Sequence, residues 1–312
     1  MRARNGGRVS EKRAGYVAIL VGALFFGMWA TVGKFVLNEV PPLTVAWFVQ
    51  AVSAAAFAPF LGRLRLLRRE WGLTLVASTF GGLLAPTFYF TGLNLTTPVN
   101  AALLSNTEGL FTVIFAYLVL RERLTSRGYA AAAAILGGAV LVTLDLEQVS
   151  ADVASTVLGN IFLVLAAVCW SVDNTASRIV TRRHDISSFV CVKIGLGTLF
   201  LTAVVLGTGG TLMVDRTALP LLSFVALTGS VLFTYLFYFA MRRIGALRVG
   251  AMLASSAAFG VAIAVGFGFP LTTIQALGGA IMAVGVLLMY RQPSGSPAPR
   301  GEVTSGVEGD KR

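Results

Sequence analysis

Apolar stretches of about 20 residues recur along the whole chain, and they constrain its fold more than any other feature. Each is long enough to cross a hydrocarbon core of roughly 30 Å as a helix. Only 12% of the 312 residues are charged, against roughly 25% in ordinary soluble domains. We therefore predict an all-α polytopic membrane protein with ten transmembrane helices. The ten stretches are 15–37, 43–61, 73–93, 98–120, 128–144, 154–177, 187–206, 219–240, 247–269 and 273–290.

The basic residues are distributed unevenly between the connections. Of the 25 Lys and Arg residues, 22 lie in every second connection, while Lys34 and Arg216 lie in the others and Lys193 falls within a stretch. Because basic residues are retained on the cytoplasmic side, we predict a multi-pass protein of a prokaryotic cell membrane with both termini cytoplasmic. The net charge of +11 then reflects topology, and nucleic acid is not a predicted partner. The basic connections are the N-terminus, 62–72, 121–127, 178–183, 242–248 and the segment after Tyr290.

Short similarities recur between the two halves of the chain at offsets of 144, 149 and 147 residues. The first pairs Lys34 with Arg178, and the last pairs Gly138 with Gly285. The repeated unit holds five helices, an odd number, so the second copy enters the membrane in the opposite sense. Inverted repeats are a transporter design with the substrate near the midplane. The predicted organisation is a basic cytoplasmic N-terminus (1–14), a five-helix repeat (15–144), an external connection (145–153), a second five-helix repeat (154–290) and a disordered cytoplasmic tail (291–312).

One segment of the first half carries a family resemblance. In "TTPVNAALLSNTEGLFTVIFAYLVLRERLT" (96–125), a small-residue helix start precedes Glu108, and the apolar run ends in a Leu-x-Glu-x-Leu pattern. On these residues the chain resembles the EamA domain of the drug/metabolite transporter superfamily. The resemblance covers about residues 15–290 and implies two five-helix repeats that transport small metabolites, usually outward. The second copy departs from the pattern, because Ala257 stands where the first copy has Glu108.

Glu108 is an ionisable residue within a predicted membrane helix. A charge at the centre of such a helix costs on the order of 3 kcal/mol, so it usually faces protein or water. At helical spacing Glu108 shares a stripe of small or polar residues with Ala101, Ser105 and Thr112, which suits a cavity wall. The alternative is a protonated glutamate that is hydrogen-bonded to a neighbouring helix.

The sixth stretch carries a polar cluster that includes Asp173 and Asn174 beside Trp170. Asp173 and Lys193 of the next stretch are predicted to lie at similar depth, so we expect them to form an ion pair. The pair fits a gate or an anchor for a zwitterion, and it equally fits a static interfacial contact.

Aromatic and proline residues supply the remaining predicted site residues. Most aromatic residues suit interfacial belts and packing, but Trp29 and Tyr235 lie well inside their stretches and are predicted to line the cavity. Pro86 frees a backbone carbonyl and is a candidate hinge. The residues predicted for the substrate cavity or its gate are Trp29, Ser105, Glu108, Trp170, Asp173, Asn174 and Tyr235.

Together these features predict a secondary transporter of small organic solutes, for example an exporter of amino acids, that works by alternating access. Proton exchange at Glu108 and plain facilitated diffusion both fit. No cofactor is expected, because "GTGG" (207–210) lacks the Lys-Ser/Thr of a phosphate-binding loop and the single histidine, His184, lies in a basic connection. The alternatives are a membrane enzyme acting on lipid-linked substrates, with Glu108 and Asp173 as acid and base, and a non-transporting partner protein. The oligomeric state stays open, and a homodimer is compatible with the sequence.

Overall fold

The computed structural model of the chain is all-helical, and the residues it describes contain no strand. This confirms the all-α prediction. The physical reason is that a chain in lipid satisfies its backbone hydrogen bonds only within helices or a closed barrel. The described residues are 2–61, 68–120, 126–144, 153–244 and 246–290, so most of the predicted external connection, the Leu-x-Glu-x-Leu residues 121–125 and the predicted disordered tail lie outside them.

Seven helical regions are each long and apolar enough to cross a membrane, which makes this a multi-pass membrane protein. They correspond to the predicted stretches one, two, three, five, six, seven and eight. Stretches four and nine are each divided into two shorter helices, and stretch ten forms an apolar helix, Thr273–Leu288, that is shorter than the seven, so ten crossings stay a prediction. In chain order the helices are α1 (Arg2–Val36), α2 (Pro42–Phe57), α3 (Arg68–Ala77), α4 (Ala85–Leu95), α5 (Pro98–Leu104), α6 (Thr107–Leu120), α7 (Ser126–Thr143), α8 (Val153–Val180), α9 (Ile186–Gly207), α10 (Leu219–Val225), α11 (Phe233–Ile244), α12 (Ala246–Leu253), α13 (Ser255–Gly266) and α14 (Thr273–Tyr290).

Local sequence signals explain where several of these helices begin. Proline at the first helical position opens α2 and α5, where no intrahelical donor is needed. The Thr97 hydroxyl accepts a hydrogen bond from the Asn100 N–H at 3.2 Å and caps α5, and Asp185 caps α9 in the same way. The first helix differs from the prediction, since it already begins at Arg2 and includes the basic N-terminal segment.

Irregular segments occur at matching positions in the two halves. A seven-residue π-helical segment, Ser78–Leu84, joins α3 to α4, and another of the same length, Ala226–Leu232, joins α10 to α11. The two are 148 residues apart in the chain. The helix breaks at Ser105–Asn106 and at Ala254 have nearly the same separation. The repeat predicted from short similarities is therefore visible in the irregularities of the helices.

The helices of the first half (residues 2–144) pack mainly against those of the second half (residues 153–290). Helix α1 packs against α11 and α13, while its counterpart α8 packs against α4 and α6. Helix α2 lies on its counterpart α9, and α7 lies on α14. Each contact therefore has an equivalent in which the halves exchange roles. The main hydrophobic core, which includes Trp29, Phe90 and Leu163, lies between the halves.

Candidate functional site

Glu108 lies in the first turn of α6, directly after the helix break, and its side chain joins α6 to α8. The Asn174 amide Nδ2 donates a hydrogen bond to Glu108 Oε1 at 2.7 Å. One turn earlier on α8, the Ser171 hydroxyl donates to the Glu108 backbone carbonyl at 2.9 Å. Glu108 is half-buried, whereas Asn174 is exposed. A solute or proton that reached Asn174 would therefore meet the carboxylate next to it.

Asp173 and Lys193 form an ion pair between α8 and α9. Lys193 Nζ lies 2.8 Å from Asp173 Oδ2 and 3.1 Å from Oδ1. The Ser177 hydroxyl donates a further hydrogen bond to Oδ1 at 2.7 Å. The two side chains are only 15% and 6% exposed, for Lys193 and Asp173 respectively. Because Gly81 has no side chain, the Asp173 carboxylate can lie directly against the π-helical segment of the first half.

The two acidic groups belong to one electrostatic cluster. Asp173 and Asn174 are neighbours on α8, and Glu108 lies close enough to Asp173 and Lys193 to interact with both charges. The cluster thus contains two carboxyl groups and one ammonium group. Such an arrangement can hold one additional cation or proton, because the ion pair is neutral and, among the described residues, the Glu108 carboxyl group accepts its hydrogen bond from an uncharged amide.

An aromatic group lies between the halves beside this cluster. The Trp29 ring stacks on Tyr89, with centroids 4.8 Å apart, and lies 6.3 Å from Trp170. Trp29 is 6% exposed, and its indole Nε1 has no hydrogen-bond partner within the described residues. An alanine at Gly229, in the second π-helical segment, would overlap this indole ring. The sequence-predicted Trp29 and Trp170 are therefore in one group, with Tyr89 as an additional member.

The cleft next to the aromatic group is narrow. Its volume is about 10 Å³, which is about the size of one water molecule. The Ser105 hydroxyl donates to the Ala102 carbonyl at 2.7 Å, so it is already partnered in this closed arrangement. The cleft is therefore too small for an organic solute in this arrangement. The lining residues are Phe26, Gly27, Ala30, Tyr89, Ala101, Ala102, Ser105 and Ser256.

Two sequence predictions are changed by the structure. Tyr235 does not reach the Trp29 group: it is 55% exposed, and its ring neighbour is Phe239. The stripe from Ala101 to Thr112 is not continuous, because the break at Ser105–Asn106 changes the helical phase before Glu108. Pro86 lies buried at the start of α4, and the Gly82 carbonyl four residues earlier accepts a hydrogen bond from Gln50 Nε2 at 2.9 Å, so the hinge at Pro86 stays a prediction.

The glycines that receive Asp173 and Trp29 were not identified from the sequence. Gly81 and Gly229 are 148 residues apart, and Trp29 and Asp173 are 144 residues apart. Each half therefore presents a glycine to the equivalent position of the other half. The repeat offsets contained this signal, but the contact between the halves needed the tertiary structure.

Comparisons with known proteins agree with this architecture. The profile of the EamA-like transporter family matches residues 13–144 and again residues 157–291. An uncharacterized transporter of Methanothermobacter thermautotrophicus is 29% identical over 297 residues, spanning 88% of this chain and 86% of the relative. The uncharacterized transporter YyaM of Bacillus subtilis is 21% identical, spanning 87% and 92%.

A solved crystal structure has the same fold. It aligns with a TM-score of 0.60 over 90% of this chain and 97% of the other, at 21% identity. The family resemblance noted in the sequence is confirmed by the two profile matches, which together cover most of the chain. The chain belongs to the EamA-like transporter family, and it is a multi-pass membrane transporter and not an enzyme.

Proposed function

We propose that the protein is a secondary transporter that exports small organic solutes across the cell membrane by alternating access. The single observation that carries this proposal is the reciprocal packing of the halves, in which α1 lies on α11 and α13 while α8 lies on α4 and α6. Two equivalent halves that meet across a central cleft can rock about it, which is how inverted repeats expose a midplane site to either side.

In this proposal the chain crosses the membrane ten times. Helices α5 and α6 together form the fourth crossing, and α12 and α13 form the ninth. Broken helices are common at transporter sites, because unpaired backbone groups are tolerated only where they line a cavity or contact protein. The odd number of crossings in each half makes the repeats inverted. The even total of ten puts both termini on one side, and the basic connections assign that side to the cytoplasm.

The solute is bound between the aromatic group and the acidic cluster. Trp29, Tyr89 and Trp170 supply flat apolar surfaces, which suit a solute with an apolar or ring-bearing part. Glu108 and Asn174 supply polar contacts at the exposed side of the cluster. An amino acid or a related metabolite combines these two properties.

The test is comparative metabolite profiling of the growth medium, with and without overexpression of the protein. We expect a small set of solutes to accumulate outside cells that express the wild-type chain. A variant that reaches the membrane but carries bulky substitutions in the cleft, such as Ala101→Phe, should lack this effect. Identical media from all three strains would contradict export.

We expect Glu108→Gln to reduce gradient-driven transport by about ten-fold or more, as the loss of a typical coupling between two ligands would. Glutamine keeps an oxygen that can accept the hydrogen bond from Asn174, but it cannot exchange a proton. Solute flux at several proton gradients measures the effect. Glu39→Gln is the matched control, because Glu39 is an exposed carboxylate between α1 and α2. A Glu108→Gln variant with unchanged gradient-dependent flux would remove Glu108 from energy coupling.

A further inference from the structure

A chain of buried polar side chains joins the halves at the end opposite the basic connections. Thr96 Oγ1 donates to Asn160 Oδ1 at 2.8 Å, and Asn100 Nδ2 donates to Thr96 Oγ1 at 3.0 Å. Gln275 Nε2 donates to Asn100 Oδ1 at 2.8 Å. All four residues are buried, with exposures of 4% or less. Because two belong to each half, these four residues, called the external clamp below, join the halves across their interface.

Lys34 holds the first-half side of the external clamp in position. Its ammonium group donates to the backbone carbonyls of Leu93, Asn94 and Thr96 at 2.9, 2.8 and 2.8 Å. These carbonyls lie at the C-terminal end of α4, where no intrahelical donors are available and a positive charge is favourable. Lys34 thereby fixes the turn that presents Thr96 to the second half.

The equivalent contact at the cytoplasmic end is apolar. The 148-residue separation of the π-helical segments takes Thr96 to Ile244, and the 144-residue offset takes Asn160 to Tyr16. Ile244 is 6% exposed and belongs to a hydrophobic cluster that also contains Ala18 and Val249. The equivalents of Thr96 and Asn160 therefore meet in non-directional packing. The polar contacts between the halves at that end involve other residues, His184 with Glu70 at 3.0 Å and Ser188 with the Phe60 carbonyl at 3.2 Å.

The external clamp is not fully satisfied. Asn160 is fully buried, and its Nδ2 lacks a hydrogen-bond partner within the described residues. A buried donor without a partner costs free energy that a purely static contact between helices would avoid. Separation of the halves at this end would let water reach that donor, which lowers the cost of opening.

We propose that the external clamp is the outer gate of the transporter, so that its hydrogen bonds break and re-form in every cycle. This inference rests on the alternating access proposed above. It assigns the closed state seen here to the outer side, and it identifies Thr96, Asn100, Asn160 and Gln275 as gate residues, with Lys34 as their positioning residue.

The gate is tested by thiol labelling, which needs no knowledge of the solute. The reporter is a cysteine introduced by Ala101→Cys. Ala101 lines the cleft next to Asn100 and is 1% exposed. The native Cys169 and Cys191 are replaced by alanine, so that only the reporter can be labelled. A membrane-impermeant maleimide is added outside intact cells. Asn160→Leu, which keeps the shape but loses the hydrogen bond, should accelerate labelling about ten-fold by raising the open population. Thr198→Val is the matched control, because among the described residues that hydroxyl bonds only to the Ile194 carbonyl of its own helix.

A second variant allows the same test if the Asn160→Leu protein does not reach the membrane. Asn100→Leu with Gln275→Leu removes both partners of the hydrogen bond between these residues, which costs less than leaving one of the two unpaired. The Thr272 N–H also loses its bond to Gln275, and the variant should give the same acceleration. Labelling rates equal to the reference in folded variants would overturn the gate. Faster labelling without any solute flux would instead show that the external clamp opens to the outside, but it would refute the proposed transport and therefore the role of the clamp in a transport cycle.

Discussion

Lys193→Met is expected to lower the free energy of unfolding by about 3 kcal/mol or more, the effect of breaking a buried pair. The substitution removes the ammonium group 2.8 Å from Asp173 Oδ2 and leaves a carboxylate that is 6% exposed without its counter-charge. Ser177 still donates one hydrogen bond to that carboxylate, but a neutral hydroxyl does not replace a charge. Denaturant unfolding of the purified protein in detergent measures the loss.

Two matched variants separate the effect of the buried ion pair from the general effect of removing a charged side chain. Asp173→Leu with Lys193→Met removes both charges and should regain most of the lost stability, because an apolar pair of similar volume is often as stable as a buried ion pair. Arg242→Met breaks the exposed contact with Asp185, where the atoms are 3.8 Å apart and the side chains are 62% and 56% exposed. Equal losses from Lys193→Met and Arg242→Met would contradict the buried pair.

Gly197→Ala is expected to destabilise the protein by about 2 kcal/mol, as overpacking of a close contact does. A Cβ atom at Gly197 would lie 2.7 Å from the Gly82 Cα, and backbone atoms cannot rotate away as a side chain can. The contact joins α9 of the second half to the π-helical segment of the first half. Loss of stability would therefore report on the interface between the halves.

Gly195→Ala, on the same helix, is the control for this substitution. Nothing lies within 4 Å of a Cβ atom at Gly195, so alanine should be neutral or stabilising by up to about 1 kcal/mol through its helix propensity. Thermal unfolding of both variants in detergent gives the comparison. An equal change in thermal stability in Gly197→Ala and Gly195→Ala would mean that the halves do not approach closely at Gly82 and Gly197.

The predictions from sequence that succeeded depended on length and depth along a helix. The apolar stretches gave the helical regions because lipid allows few alternatives to a helix. Counting residues from the ends of their stretches placed Asp173 and Lys193 at similar depth. In the structure, Lys193 Nζ lies 2.8 Å from Asp173 Oδ2. Depth along the membrane normal is therefore recoverable from one sequence when the helices are long.

The predictions that failed depended on the direction in which a side chain points around its helix. Tyr235 was selected because it lies well inside its stretch, and depth along a helix does not determine the direction in which the side chain points. The break at Ser105–Asn106 and the π-helical segments shift the helical phase, and no proline or charge marks the break itself. Contacts between the halves, such as Thr96 with Asn160, needed the tertiary packing, because each partner alone is an ordinary polar residue.

The most direct test of the account is solute release from vesicles in which the two halves can be locked together. Wild-type protein and a Thr96→Cys/Asn160→Cys variant are reconstituted into vesicles loaded with a small-molecule cell extract, and the retained solutes are measured by mass spectrometry. We predict that a restricted set of solutes leaves the wild-type vesicles and the reduced variant, whereas the oxidised, cross-linked variant retains them as protein-free vesicles do. Equal release from the cross-linked and reduced variants would contradict transport by separation of the halves.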